Sequence, residues 1–357
     1  MTRYSPTGSS AEGGIGSVVF CHDKNLDRKV AVKVLQRGGE HRRLLDELAA
    51  LQRIRSKHVV EIFDVTYFDR GATMGIVEEY IEGDDLDKRL GAMRSSEEFL
   101  RLLYQMSAGL ADIHAVGVVH RDIKPSNMRI DGEGILKIID FNLARPKSDA
   151  ETKGFVGTRG YAAPELYSDD QVTFGTSVDV YALGVTAYAL LKGSDLPADL
   201  RGRPPRADAW KSASGGFAGL NTGMDSELVR LLDACLEEDP SKRPTASEIS
   251  GRAQRMLLHG KHRALFATED GRRFEVHAGR PRVALKHPAS LGQVTIAYDN
   301  LDFKVVEVDG EVWANNMQVT RGMRLPACCV IALGGPNRRA SDRMFVTMDE
   351  SQPEVVL

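Results

Sequence analysis

One stretch, Val119 to Asn142, constrains what the rest of the chain can fold into. It reads VHRDIKPSNMRIDGEGILKIIDFN. An apolar run, VGVV, leads into it and a second, ILKII, lies near its end. Both have the length and the Val/Ile content of buried strands. Asp122, Lys124, Asn127 and Asp140 are the polar groups set around these runs. Strands that end in carboxylates and an amide put those groups at the mouth of a cleft. Hard oxygen ligands converging there suit magnesium, which binds through one or two carboxylates plus substrate phosphates.

Size bounds the architecture. The chain has 357 residues and a formal net charge of −3, enough for one large or two medium domains. A slightly acidic balance leaves no basic footprint for nucleic acid. Cys21, Cys235, Cys328 and Cys329 form neither a metal-ligand spacing nor a disulfide framework, so a reducing cytoplasm is the expected home. The N-terminus, MTRYSPTGSSAEGG, has no apolar signal core. The apolar stretch VYALGVTAYALL is too short to span a bilayer and is interrupted by Gly184.

In chain order, residues 1–10 are rich in Ser, Thr, Pro and Gly and are expected to be loose. AEGGIGSVVF and DKNLDRKVAVKVL then read as strands around a glycine-rich turn, whose backbone N–H groups can approach phosphates closely. HRRLLDELAALQRIR has apolar residues at helical spacing. SSEEFLRLLYQMSAGLADIHAVG opens with a capping sequence and closes at Gly117, with His114 expected to pack. SVDVYALGVTAYALLKG reads as a buried helix with one charge, Asp179. GSDLP to FAGLN reads as a polar connection, and SELVRLLDACLEEDPSKRPTASEI closes the domain. From Lys261 the period changes to short strands with turns such as Asp270-Gly271 and Asp309-Gly310, which suits a small β-sandwich.

These motifs, in this order, resemble the eukaryotic-type (Hanks-type) serine/threonine protein kinases over roughly the first 260 residues. The glycine-rich pattern supplies Gly13, Gly14, Gly16 and Val18, with Ala11 where the family has its first glycine. V-A-V-K ends at Lys33, and H-R-D-x-K-P-x-N and D-F-x follow at Asp122 and Asp140. G-T-x-x-Y at Thr158 and Tyr161 leads to A-A-P-E. The resemblance implies an α+β, bilobal fold over 11–258, with a β-rich N-lobe about 11–80 and a helical C-lobe about 83–258. A small all-β domain follows over 262–357.

The resemblance also implies roles. Lys33, paired with Glu47, contacts the α- and β-phosphates of ATP; Val18 and Ala31 face the adenine, and backbone groups of Glu79 and Ile81 bond it. Asp122 orients the substrate hydroxyl, Lys124 steadies the γ-phosphate, and Asn127 and Asp140 hold Mg2+ or Mn2+. His120 fills a structural position, Asp179 anchors the catalytic loop, and Arg243 pairs with Glu165. Arg121 with Ser148, Thr152 and Thr158 forms the regulatory set: phosphorylation at Ser148 or Thr152 is expected to order the loop. Two departures are Glu78 before the hinge, a carboxylate where the family has an apolar residue or Thr, and Asn142 in place of glycine, tolerable because Asn enters left-handed backbone angles. The expected activity is transfer of the ATP γ-phosphoryl to protein Ser/Thr, including its own. The alternative is a nucleotide-binding pseudokinase that recruits partners through its β domain. That domain faintly resembles a forkhead-associated domain through Gly279-Arg280, Asn315-Asn316 and VIALGG, with Arg280 the candidate phosphate contact, although it lacks a clear Ser-x-x-His.

Overall fold

Val30, Val32 and Val77 are wholly buried on one side of their strands, and Ala31, between the first two, faces the other side. That alternation builds the first sheet of the computed structural model, which describes residues 3–13, 16–35, 52–68, 73–141, 145–146, 151–152, 155, 157–168, 172–173, 175–220 and 223–351. β1 (Tyr4–Gly13), β2 (Gly16–Asp23), β3 (Arg28–Leu35), β4 (Ile62–Phe68) and β5 (Thr73–Glu79) pair antiparallel in the order β1-β2-β3-β5-β4. Cys21, Val30, Val32 and Val77 join Tyr4 in a small core on one face. The registers Val18↔Lys33, Phe20↔Ala31, Lys33↔Ile76 and Ala31↔Glu78 place all six of these residues on the other face, since paired residues share a face and neighbours alternate.

Composition suggests a loose terminus over residues 1–10, but from Tyr4 onward the chain is in β1. The Arg3 guanidinium donates to Asp23 at 2.7 and 2.8 Å and to Asp64 at 3.1 Å. The Tyr4 hydroxyl donates to Asp64 at 2.7 Å, and the Tyr4 ring is buried. A charge clamp and a buried ring outweigh the turn-forming residues that follow. The helix expected around Glu47 falls almost wholly outside the described residues, as do Glu47 itself, Gly14, Asn142 and Ser148.

The chain divides into two units, residues 1–253 and 254–356. Beyond the sheet, the first unit continues with β6 (Gly83–Asp85), α1 (Ser96–Ala115), β7 (Val118–Val119), β8 (Met128–Asp131) and β9 (Leu136–Ile138). Short strands β10 (Arg145–Pro146), β11 (Glu151–Thr152) and β12 (Val172–Thr173) precede α2 (Ser177–Lys192), α3 (Ala207–Ser214), α4 (Ser226–Cys235) and α5 (Ala246–Leu257). Ser95 caps α1 by accepting from the Glu98 amide at 3.1 Å. Gly109 lets α1 approach its neighbour: a Cβ there would stand 2.7 Å from the His58 carbonyl oxygen. The His58 segment in turn zips onto β9, with the Ile138 amide donating to His58 and the Val60 amide to Ile138, both at 2.9 Å. Helix α3 lies in the stretch expected to be a polar connection. Trp210 gives it a buried face against Tyr188 and Phe217, which the surrounding Pro and Gly conceal in the sequence.

Arg243 ties the first unit's helices to its loop. It makes two parallel bonds to Glu165, at 2.6 and 2.8 Å, and donates to the carbonyls of Ser177, Glu237 and Glu238.

The second unit is all β beyond α5. Its strands are β13 (Arg263–Thr268), β14 (Arg273–Val276), β15 (Arg282–Lys286), β16 (Gly292–Tyr298), β17 (Phe303–Gly310), β18 (Val312–Ala314), β19 (Met317–Gln318), β20 (Cys328–Leu333) and β21 (Met344–Ser351). One sheet runs β14-β13-β21-β20-β18-β19, the other β15-β16-β17. Inward residues of both, among them Phe266, Ile296, Phe303 and Ile331, form one core. Arg280 is exposed, in a turn whose backbone closes on His277.

Removing one side of the buried pair leaves an uncompensated charge, so Glu165→Gln is expected to destabilise the protein by about 3–5 kcal/mol. A lowered urea midpoint checks it; an unchanged midpoint would show the pair to be dispensable.

Candidate active site

The loop from His120 to Asn127 hangs on one carboxylate. Asp179, in the first turn of α2, is 1% exposed. It accepts from the amides of His120 (2.8 Å) and Arg121 (2.7 Å), and from His114 Nε2 (2.9 Å). A buried carboxylate needs such donors, and these three supply them. His114, expected to pack, is therefore a hydrogen-bonding residue. Its signal in the sequence is weak, because nothing local shows that the last turn of α1 meets α2. Arg121 follows with φ +67°, a left-handed angle rare outside glycine, which turns the chain so that Asp122 comes next.

His120 is wholly buried, and burial pushes its pKa down. Its Nδ1 accepts from the Asp122 amide at 3.3 Å, which leaves Nε2–H to face the Ile139 carbonyl at 3.2 Å. Phe141 packs on the ring at 4.8 Å. These contacts make His120 a neutral structural group.

Asp122 sits in a closed polar set. Its Oδ1 accepts from the Thr158 hydroxyl at 2.6 Å, and its Oδ2 faces Lys124 Nζ at 2.8 Å and Asn127 Nδ2 at 2.9 Å. Lys124 also donates to Thr158 at 2.7 Å. Thr158 reaches this position after Gly157, whose φ is +113° and where a Cβ would lie 3.1 Å from the Arg121 carbonyl oxygen. Burial pushes the Asp122 carboxyl up, but its bonds to Lys124, Thr158 and Asn127 outweigh burial and hold it below its ordinary range. The group is thus an ionised acceptor near neutral pH.

Asn127 donates from Nδ2 to both the Asp122 carbonyl (2.8 Å) and its carboxylate. Among the described residues no hydrogen bond engages its Oδ1. Asp140, with φ +65°, pairs with Lys33. An amide oxygen and a carboxylate are the hard ligands that magnesium or manganese takes, so these residues fit a divalent cation. β9 aims Asp140, and Gln105 on α1 holds that strand by accepting from the Leu136 amide at 2.5 Å.

Lys33 is nearly buried on the sheet face that also carries Val18, Ala31 and Glu78. Glu78 is half-buried. Burial lifts its carboxyl above the ordinary range, Asp140 adds to that, and Lys33 opposes both. The next residue, Glu79, donates its amide to the Glu61 carbonyl at 2.8 Å. Its side chain pairs with Lys137 of β9 at 2.9 Å, a link the sequence reading missed because 58 residues separate the partners. Ile81 is buried, and no backbone hydrogen bond engages it among the described residues. Gly13 and Gly16 face each other across the β1–β2 hairpin. The structure thus brings together Lys33 with Asp140, and Asp122 with Lys124, Asn127 and Thr158. Thr152 is placed only as a pairing position in β11, and Glu47, Gly14 and Ser148 lie outside the described residues.

A family model described as "Protein kinase domain" matches residues 8–253. The chain is 36% identical over 254 residues to a protein of Corynebacterium efficiens named "Serine/threonine-protein kinases drp72", covering 65% of this chain and 46% of that one. It is 32% identical to "Mitogen-activated protein kinase 12" of Rattus norvegicus, over 74% of this chain and 78% of that protein. It is likewise 32% identical to "Probable serine/threonine-protein kinase pknA2" of Bifidobacterium longum, over 75% and 37%. The chain therefore spans about half the length of the corynebacterial relative or less of the bifidobacterial one. None of the described helices is long and apolar enough to cross a membrane.

The bonds around Asp122 set a pH expectation. Removing the Lys124 charge lets burial raise the Asp122 carboxyl, so in Lys124→Met the acidic limb of kcat/KM moves to higher pH, while Lys124→Arg keeps it low. The check is a pH–rate profile of both variants.

Proposed function

The chain belongs to the protein kinase family, in its serine/threonine class, and from that premise we propose that it transfers the γ-phosphoryl group of ATP to Ser and Thr hydroxyls of proteins. The hydrogen-bonded set of Asp122, Lys124, Asn127 and Thr158 carries this reading, because it keeps one carboxylate ionised and oriented where a hydroxyl could be bound. The relatives give the pseudokinase alternative no support.

In this reading Asp122 orients the substrate hydroxyl and takes its proton, and Lys124 steadies the γ-phosphate. Lys33 leaves Asp140 for the α- and β-phosphates. Asn127 and Asp140 hold a divalent cation, magnesium or manganese, which neutralises phosphate charge when bound. The Glu79 carbonyl and the Ile81 amide bond the adenine, and Val18 and Ala31 cover it. Glu47 pairs with Lys33, and the Gly13–Gly16 hairpin lies over the phosphates. Phosphorylation of Ser148 or Thr152 orders the loop toward Arg121. The protein works in the cytoplasm, and its C-terminal β domain docks a protein partner, a phosphothreonine peptide through Arg280 being the specific form to test.

Incubation with γ-labelled ATP and magnesium, with a generic basic protein as acceptor, tests the reaction. Label is expected on serine or threonine in the wild type, lost in Asp122→Asn and reduced in a Ser148→Ala/Thr152→Ala double variant. Absence of transfer by the wild type would reject the reading, and equal activity in the double variant would reject the loop's role. For the β domain, capture of a phosphothreonine peptide library is expected to drop in Arg280→Ala; unchanged capture removes the phosphate role of that arginine.

A further inference from the structure

Glu78 stands on the cleft face of the first sheet, opposite Ala31 in register, on the same face as Lys33 and one residue before Glu79. The proposed reaction does not use it. Its charged neighbours, Lys33 and Asp140, pair with each other, and no hydrogen bond or ion pair engages the Glu78 side chain among the described residues. It is a half-buried acceptor with no donor among the described residues, and a base lying along the strand would shield it further from water. A carboxylate left so is costly until a donor reaches it.

A 6-aminopurine carries two hydrogens on its exocyclic nitrogen. The Glu79 carbonyl takes one, on the reading given above, and the other is left for an acceptor alongside. A 6-oxopurine would set an oxygen against the carboxylate instead. We propose that Glu78 is a specificity-determining residue, which accepts a hydrogen bond from the 6-amino group of the bound nucleotide and disfavours 6-oxo bases. This rests on the kinase reading, with Glu79 and Ile81 along the base.

The test compares kcat/KM for ATP and for inosine triphosphate in the wild type, Glu78→Gln and Glu78→Met. The ATP preference is expected to fall about tenfold or more in both variants, the size typical when a site no longer sets unpaired polar groups against the wrong substrate. Opposition between the Ile81 amide and the inosine N1–H is common to all three proteins and cancels. Glu78→Met has no acceptor at this position, so a preference unchanged in that variant overturns the proposal. Glu78→Gln, of the same size as the native residue, decides the matter if the Met variant does not fold. A wild type that transfers nothing from ATP would instead bring down the kinase reading on which the proposal rests.

Discussion

The Asp179 carboxylate is the point on which the site depends. It is buried on α2, yet it faces two backbone amides of the loop and one imidazole from α1. Desolvating a charge is tolerable only when donors replace water, so helix and loop hold each other in place. Everything polar downstream inherits this placement. The His120 ring, fixed between the Asp122 amide and the Ile139 carbonyl, joins the loop to the segment that presents Asp140. Asp122 then meets Thr158 and Lys124 without needing order of its own.

Two carboxylates in this unit show how environment divides like groups. Asp122 and Glu78 are both shielded from water, which pushes both carboxyls up. Around Asp122, a lysine, a hydroxyl and an amide reverse that push. Around Glu78, Lys33 opposes burial, but Lys33 is already spent on Asp140, whose charge works the other way. One acid is thereby held as an ionised acceptor, and the other keeps a carboxyl lifted above its ordinary range.

The second unit is built on a different principle. Strict alternation, as in β15, where Val283 and Leu285 are buried between exposed Arg282, Ala284 and Lys286, closes two sheets over one core. Its turns take left-handed angles at Asn315 and Asn316, where a short polar side chain lowers the cost, and the Asn315 side chain accepts from the Val330 amide at 2.9 Å.

The chain order of Lys33, Asp122, Lys124, Asn127 and Asp140, the apolar period of α1 and the switch to short strands after Lys261 were all legible in the sequence. Each rests on local spacing, which side-chain alternation and helical periodicity convert directly into structure. Contacts made between distant segments were not legible. Arg3 with Asp23 and Asp64, His114 with Asp179, and Glu79 with Lys137 each join residues that are unremarkable alone. The turn-rich composition of residues 1–10 concealed a strand for the same reason, since the buried Tyr4 ring and the Arg3 clamp act only once the sheet exists. The sequence by itself determined which chemical groups the site contains. The tertiary structure alone decided which of them are ionised, paired or left waiting, because burial and donor count belong to the assembled cleft and to no single segment of chain.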